Sequence, residues 1–239
     1  MKKKLALILA GTAMAAMVLA GCGDKNNASG EDVKTAESVE DKKTFTVGFD
    51  AEYPPYGYMD ENGEYTGFDL ELAEAVCKLE GWELVKKPLN WDSKDMELNS
   101  GSIDCIWNGF TMNGREDDYT FSTPYVDNSQ VIVVAEKSGI DTLEDLAGKT
   151  VGVQAASAAL DLLKSEEEGG QKKLADTFGA LNEFADYNTA FTELQAGALD
   201  ALAIDVGVAN YQIKSRGEGY KILDETLNTE QYAILSLIH

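Results

Sequence analysis

Hydrophobic and polar residues alternate along this chain with two periods, which predict strands and helices in succession. Residues 45–49 have the two-residue period of a strand. From Asp69 onward, apolar side chains fall on one helical face, so we expect Asp69 to cap a helix that Gly81 ends. The same two patterns predict the other main elements, which are strands at 83–87, 103–107, 131–135, 150–153, 182–184, 199–204, 220–223 and 231–234, and helices at 93–99, 157–167, 189–196 and 206–215.

This order of elements predicts an α/β fold. Strands and helices alternate through two series of similar length, and the apolar strand at 131–135 joins the series. Alternation of this kind favours largely parallel sheets, because a helix usually connects two parallel strands. Two series with one joining strand favour two lobes over one continuous sheet.

The first 43 residues have a different pattern. Lys2–Lys4 precede an apolar run that ends at Val18, and small residues stand just before Cys22. A basic start, an apolar run of this length and small residues before a cysteine are typical of an exported lipoprotein. We therefore predict a signal peptide at 1–21, lipid attachment at Cys22 and a polar, flexible tether at 22–43. A permanent membrane-spanning anchor is the alternative, but no basic segment follows the run to stop transfer.

The charge of the chain restricts its partners. It has 20 basic and 42 acidic residues and a formal net charge of −22. Removal of three lysines with the signal peptide would change that charge to −25. Nucleic acids and anionic lipid surfaces would repel such a chain, so we expect neither as an electrostatic partner. A small ligand in a cleft is compatible with this charge.

Signatures of catalysis and of metal binding are missing from the sequence. It has no nucleophile elbow and no phosphate-binding P-loop, and His239 is its one histidine. We therefore predict no enzyme activity, no cofactor and no metal site. Cys77 and Cys105 are expected to be free buried thiols, although the sequence alone leaves a disulfide between them open.

Polar and aromatic residues follow the predicted strands at five places. Open α/β sheets bind ligands at the carboxyl ends of their strands, so these residues are candidates for one site. The set combines a guanidinium, carboxylates, small donors and aromatic rings, which suits a small zwitterion. Its members are Asp50, Tyr53, Tyr56, Trp91, Asn108, Gly109, Thr111, Arg115, Ser157 and Asp205.

The order of short motifs along the chain resembles one known family. The motifs are Asp50-x-x-Tyr53-x-Pro55-Tyr56, Gly67-Phe68-Asp69, Ile103-Asp104-x-Ile106, Thr111 to Arg115, Phe121-Ser122-x-Pro124-Tyr125 and Leu143 to Val153. In this order they are similar to family 3 of the bacterial extracellular solute-binding proteins, the polar amino acid receptors of ABC importers. The resemblance runs from Thr44 to about Tyr232. It implies a two-lobe, periplasmic-binding-protein-like (type II) α/β fold with a ligand cleft between the lobes.

The resemblance also implies a role for each candidate residue. Arg115 would bind the α-carboxylate of an amino acid, and Asp205 would bind its α-ammonium group. Thr111, the backbone at Asn108 and Gly109 and the helix beginning near Ser157 would donate hydrogen bonds to the carboxylate. Tyr53, Tyr56 and Trp91 would enclose the ligand side chain. Asp50 would contact that side chain. One departure is that Ala156 stands where the family usually has glycine.

Five of the candidates have a simpler alternative. Arg115 could form a surface ion pair with the acidic residues at 116–118, worth about 0–1 kcal/mol. Asp205 could be a helix N-cap. Trp91 and Tyr56 could be core aromatics, and Asp50 could be a solvated loop residue.

Taken together, these features predict a monomeric, lipid-anchored receptor on the extracytoplasmic face of the cell membrane. It would bind a polar amino acid and deliver it to an ABC permease. The alternatives are a dehydratase-type enzyme and a ligand-sensing or adhesin protein on the same scaffold. The first lobe is predicted at 44–129 plus 228–239 and the second at 130–227. Family members continue with helices after this point, so we expect the C-terminal part of the first lobe to be truncated.

Overall fold

The computed structural model describes residues 43–217 and 219–237. The predicted signal peptide, the lipid attachment at Cys22 and all but the last residue of the tether therefore lie outside the described residues. Within the two described stretches, no helix has the length and apolar character needed to cross a membrane.

Strands and helices alternate through the described part of the chain. Two 3-10 turns, at Trp91–Ser93 and Glu144–Leu146, accompany the regular elements. The regular elements are β1 (Thr44–Phe49), β2 (Glu52–Tyr53), β3 (Gly57–Met59), β4 (Tyr65–Thr66), α1 (Phe68–Glu80), β5 (Glu83–Pro88), α2 (Lys94–Asn99), β6 (Cys105–Ile106), β7 (Thr120–Phe121), β8 (Val126–Ala135), β9 (Thr150–Gln154), α3 (Ala158–Lys164), α4 (Lys172–Ala175), β10 (Ala180–Phe184), α5 (Tyr187–Ala196), β11 (Ala201–Asp205), α6 (Val206–Arg216), β12 (Tyr220–Ile222), β13 (Asn228–Tyr232) and β14 (Leu235–Ser236).

The strands form two main sheets and one small one. The first sheet has the order β5-β1-β6-β14-β7, and the second has the order β10-β9-β11-β8-β12, with β13 also paired to β8. We call the parts of the chain built on these sheets the first and the second lobe. Strands β2, β3 and β4 form a small antiparallel sheet, with a turn at 61–64 between β3 and β4. The prediction of parallel strands is right for β5-β1-β6 and for β10-β9-β11, whereas β8, β12 and β14 pair antiparallel.

The chain passes between the lobes through β8 and β13. The first half of β8 pairs with β13 along its whole length, from Val126 opposite Tyr232 to Gln130 opposite Asn228. The second half of β8 continues into the second sheet, where it pairs with β11 and β12. The two crossing segments therefore form a two-stranded ribbon. The exact lobe boundaries at 129/130 and 227/228 stay a prediction.

Apolar side chains cover both faces of the second sheet, which explains the continuous apolar runs of its strands. On one face, Val131, Val133, Leu202 and Ile204 pack with residues of α5 and α6. On the other face, the alternate residues of the same strands pack with α3, including Leu160 and Leu163. The last residues of β9 and β11, Gln154 and Asp205, line the cavity described below.

Several element predictions need correction. Asp69 does not cap α1, because Gly67 holds that position with a φ of 130° and the buried Asp69 side chain turns toward Gly109. Helix α3 ends at Lys164, three residues earlier than predicted, and α4 was not predicted. The expectation of free buried thiols is confirmed for Cys77 and Cys105.

Candidate ligand-binding site

A cavity lies where the strand ends of the two lobes face each other. Its empty space is about 280 Å³, counting the part open to solvent. The first lobe contributes Tyr53, Trp91, Gly109, Phe110, Thr111 and Arg115 to its wall, and the second contributes Gln154, Ser157, Ala158 and Asp205.

Asp205 is a buried carboxylate at the end of β11. It occupies the N-cap position of α6, but its side chain makes no capping hydrogen bond. Its Oδ1 instead accepts hydrogen bonds from Asn128 Nδ2 at 2.8 Å, Gln130 Nε2 at 2.6 Å and the Tyr232 hydroxyl at 2.7 Å. The N-cap alternative therefore describes the backbone at this residue and does not account for its carboxylate.

A second buried carboxylate, Glu230 of β13, shares these donors. Its Oε1 accepts from Asn128 Nδ2 and from Gln130 Nε2, both at 2.8 Å, and from Thr111 Oγ1 at 2.6 Å. Within residues 43–217 and 219–237, no lysine or arginine forms an ion pair with Asp205 or Glu230. Burial, and then repulsion from Glu230, raise the pKa of Asp205 to about 6. Two adjacent acids with neutral partners attract a cation.

Arg115 supplies a cation on the opposite wall. Its Nη2 lies 2.5 Å from Asp161 Oδ2 of α3, so this ion pair joins the two lobes. The guanidinium also lies over the Phe110 ring, 4.7 Å from its centroid. The alternative of a local ion pair with residues 116–118 is wrong, because Arg115 pairs with an acid of the other lobe.

The loop after β6 uses two of its predicted donors within the protein. Gly109 has a left-handed φ of 56°, and its N–H donates to Asp69 Oδ2 at 2.5 Å. The Thr111 hydroxyl donates to Glu230. The Gly109 amide and the Thr111 hydroxyl proton are therefore engaged in this arrangement, which differs from the predicted donation to a ligand carboxylate. Both residues still form part of the wall.

Ser157 sits at the start of α3 and caps it. Its Oγ accepts from Leu160 N at 3.2 Å and donates to the Gln154 carbonyl at 2.7 Å. Helix α3 has seven residues. The predicted position of Ser157 at a helix start on the cavity wall therefore agrees with the structure, while its hydroxyl is already used in the cap.

Three predicted residues lie behind the wall. Asn108 is buried next to the cavity, and its Oδ1 has no donor among the described residues. Tyr56 packs against Tyr53 and Tyr232, with ring centroids 5.7 and 5.2 Å apart. Asp50 is buried, and its Oδ2 accepts from Gln154 Nε2 at 2.8 Å. None of these three lines the cavity in this arrangement, and their predicted roles toward a ligand stay predictions.

The sequence profile of the bacterial extracellular solute-binding proteins, family 3, matches residues 45–225. This match spans most of the chain, including both lobes and all ten candidate residues. The chain belongs to this family.

Known relatives of this family-3 protein resemble it over nearly its full described length. It is 29% identical to the L-cystine-binding protein TcyJ of Escherichia coli K12, over 92% of this chain and 80% of the relative. It is 32% identical to the arginine-binding extracellular protein ArtP of Bacillus subtilis, over 94% of this chain and 82% of the relative. A solved substrate-binding protein of an ABC uptake transporter from Streptococcus pneumoniae, with bound histidine, matches with a TM-score of 0.75 and 35% identity over 81% of this chain and 79% of that one. These matches confirm the predicted two-lobe type II fold.

Several residues of the cavity wall and of the acidic cluster of this family-3 protein were missed by sequence reasoning. Gln154 directly follows a predicted strand, which was the signal available for it. Glu230 and Tyr232 are both buried in β13 and stand two positions apart, so the two-residue period of a strand could have placed Glu230 on the inner face. Phe110 and Ala158 carried no comparable signal.

Ala156 has a left-handed backbone conformation. Its φ is 54°, and it is the one non-glycine residue with positive φ in the described part of the chain. Lys94, which is buried, places its Nζ 3.5 Å from the Ala156 carbonyl and 5.2 Å from the Trp91 ring centroid. Burial lowers the pKa of Lys94. The left-handed turn before α3 thus forms with alanine at position 156.

Gly207 of the second lobe lies close to Tyr56 of the first lobe. A Cβ at Gly207 would lie 2.3 Å from the Tyr56 hydroxyl, and Tyr56 is held by neighbouring rings. Gly207→Ala should therefore prevent this approach and weaken ligand binding about 10-fold or more, in line with overpacking costs of about 1–3 kcal/mol. Titration calorimetry measures the effect. Adding Tyr56→Phe removes the clashing oxygen and should restore part of the affinity, whereas an unaffected single variant would contradict the contact.

Buried acids predict the pH dependence of stability. Burial raises the pKa of Asp50 and of Asp205 to about 6 and that of Asp69 to about 7. Between about pH 4 and 7 the folded protein therefore binds more protons than the unfolded chain, so the free energy of unfolding falls as pH rises. The ligand-free melting temperature should be higher near pH 5 than at pH 8, and Asp69→Asn should flatten this slope. A melting temperature that rises from pH 5 to pH 8 would count against these pKa values.

Proposed function

We propose that this protein is a lipid-anchored receptor that binds a free amino acid between its lobes and delivers it to an ABC importer. One observation carries the proposal. Arg115 of the first lobe and Asp205 of the second border the same cavity, and Asp205 belongs to a buried acidic cluster without a cation among the described residues. A ligand with a carboxylate at one end and an ammonium group at the other meets both requirements.

The cluster around Asp205 supplies the ammonium site. An α-ammonium at Asp205 would replace repulsion between Asp205 and Glu230 with attraction to both. Because the cluster is buried, water screens this attraction weakly. The neutral donors of Asn128, Gln130 and Tyr232 hold the acceptor oxygen in place.

Arg115 supplies the carboxylate site. Its present partner, Asp161, has a side chain that is 63% exposed, while the Arg115 side chain is 14% exposed. A ligand carboxylate in the cavity would compete with an acid that retains most of its contact with water. Exchange of Asp161 for the ligand would keep the guanidinium paired throughout.

Relatives support an amino acid as the ligand. Their names and structures describe binding of cystine, arginine, histidine and glutamine. They are binding proteins, which favours transport over the dehydratase-type alternative. Lipid anchoring at Cys22, an extracytoplasmic position and a monomeric state complete the proposal, supported by the sequence pattern before Cys22 and by the family.

A thermal-shift screen of the chain after Cys22 against the common amino acids and cystine tests binding. A ligand at a concentration of about 100 times its dissociation constant stabilises the folded state by about 2.7 kcal/mol. This raises the melting temperature by about 5–10 °C for a chain of this size. Absence of any shift would refute the amino acid proposal. For delivery and anchoring, deletion of the gene should abolish uptake of the identified ligand, and Cys22→Ser should release the protein from the membrane fraction.

A further inference from the structure

Gln154 is held on the cavity wall with its amide group in one orientation. Its Nε2 donates to Asp50 Oδ2 at 2.8 Å and to the Ala185 carbonyl at 3.1 Å. Both partners accept hydrogen bonds, so the nitrogen of the amide must face them and the oxygen must face elsewhere. No donor among the described residues reaches Gln154 Oε1, and the side chain lines the cavity. An acceptor is therefore left for the ligand.

Asp50 determines this orientation without lining the cavity. It is 5% exposed, its Oδ1 accepts from Glu52 N at 2.8 Å, and its Oδ2 holds Gln154. Each carboxylate oxygen thus has a donor inside the protein. Asp50 acts on a ligand through Gln154, which makes it a positioning residue in place of the direct contact expected from the sequence.

We propose that Gln154, oriented by Asp50, accepts a hydrogen bond from the side chain of the bound amino acid. The ligand therefore carries a side-chain N–H donor, and a ligand with a side-chain carboxylate is rejected. This inference rests on the proposed function and narrows its ligand to amide, imidazole, guanidinium or amine side chains.

The charges around Gln154 favour the same class. Asp50 is bonded to Gln154, and Glu52 and Asp186 are near enough to Asp50 to repel its charge. A ligand carboxylate here would face the Gln154 oxygen as well as these acids, and it would bring no proton to share. Sites with a fixed buried acceptor reject ligands that lack the matching donor strongly, by about 100-fold or more.

Isosteric ligand pairs test the inference directly. Affinities of glutamine against glutamate and of asparagine against aspartate are measured by titration calorimetry at pH 7.5, together with the strongest ligand of the thermal-shift screen. We expect each amide to bind about 100-fold more tightly than its acid. We also expect the strongest ligand to carry a side-chain N–H, and Gln154→Leu to weaken it about 30-fold.

Asp50→Asn separates orientation from charge. An asparagine at 50 can donate to Gln154 Oε1 as well as accept from its nitrogen, so the amide is free to turn and the preference for the amide ligand should fall at least about 10-fold. Asp186→Asn is the matched control. Asp186 caps α5 by accepting from Thr189 N at 2.7 Å and has no hydrogen bond to Gln154, and asparagine caps equally well. Its amide-to-acid ratio should stay within about 3-fold of the parent value.

The outcomes distinguish this inference from the proposed function. If no amino acid binds the parent protein, the proposed function itself fails. If amino acids bind but the acids bind as tightly as the amides, the proposed role of Gln154 is wrong. It is also wrong if the strongest ligand lacks a side-chain donor. If Asp186→Asn lowers the ratio as much as Asp50→Asn does, the local charge and not the held amide sets the preference, which also overturns the inference.

Discussion

Replacing Asp205 with asparagine is expected to weaken amino acid binding about 100-fold or more. Removal of one partner from a buried charge pair costs about 3–5 kcal/mol, because the other charge is left without compensation. The same change should raise the melting temperature of the ligand-free protein, since it removes a buried carboxylate whose pKa is raised to about 6. Calorimetric titration and thermal melts of the same sample measure the two opposite effects.

Asp200→Asn is the matched control for this prediction. Asp200 precedes the other end of the same strand, β11, where it accepts from Thr150 N at 2.8 Å far along the strand from the cavity. Asparagine can still accept that bond, so ligand affinity should not change. Tight binding by Asp205→Asn would show that the ammonium group is held elsewhere.

Replacing Arg115 with alanine is expected to abolish measurable binding, again with a loss of about 100-fold or more. Asp161→Asn removes only the acid that pairs with Arg115 across the cleft. It should therefore leave amino acid affinity equal or make it tighter, because the ligand carboxylate no longer competes with a protein carboxylate. Titration of both variants with the ligand found in the screen measures the difference.

Comparison of these two variants shows whether Arg115 bridges the lobes or binds the ligand carboxylate. If both variants weaken binding to the same extent, Arg115 serves as a bridge between lobes and not as the carboxylate site. If only Arg115→Ala loses the ligand, the bridge is dispensable and the guanidinium acts on the ligand itself.

The order of elements was predictable from the sequence because most long elements carry a recognisable pattern. Strand β1 and helices α1 and α5 are long enough to show a two-residue or a 3.6-residue repeat, and the buried strands β8 and β11 appear as continuous apolar runs. Strands β2, β4, β7 and β14 have two residues each, which is too few to show any period. Their pairing is decided by residues far away in the sequence, as when Leu235 pairs with Ile106 and Phe121.

The candidate site was predictable in position but not in its hydrogen bonds. Residues that follow strand ends, such as Trp91 and Asp205, reach the cavity because the sheet itself places them there. Which donor meets which acceptor depends on contacts between lobes, such as Gln154 with Asp50 across 104 positions of sequence. No local pattern encodes those contacts.

The ribbon of β8 and β13 has a consequence for protein engineering. Asn128 and Glu230, which belong to the acidic cluster, stand directly opposite each other in that ribbon. The backbone segment that connects the lobes therefore also holds groups of the site proposed for the ligand ammonium. A biosensor design that changes the stiffness of this connector is therefore expected to change ligand affinity as well.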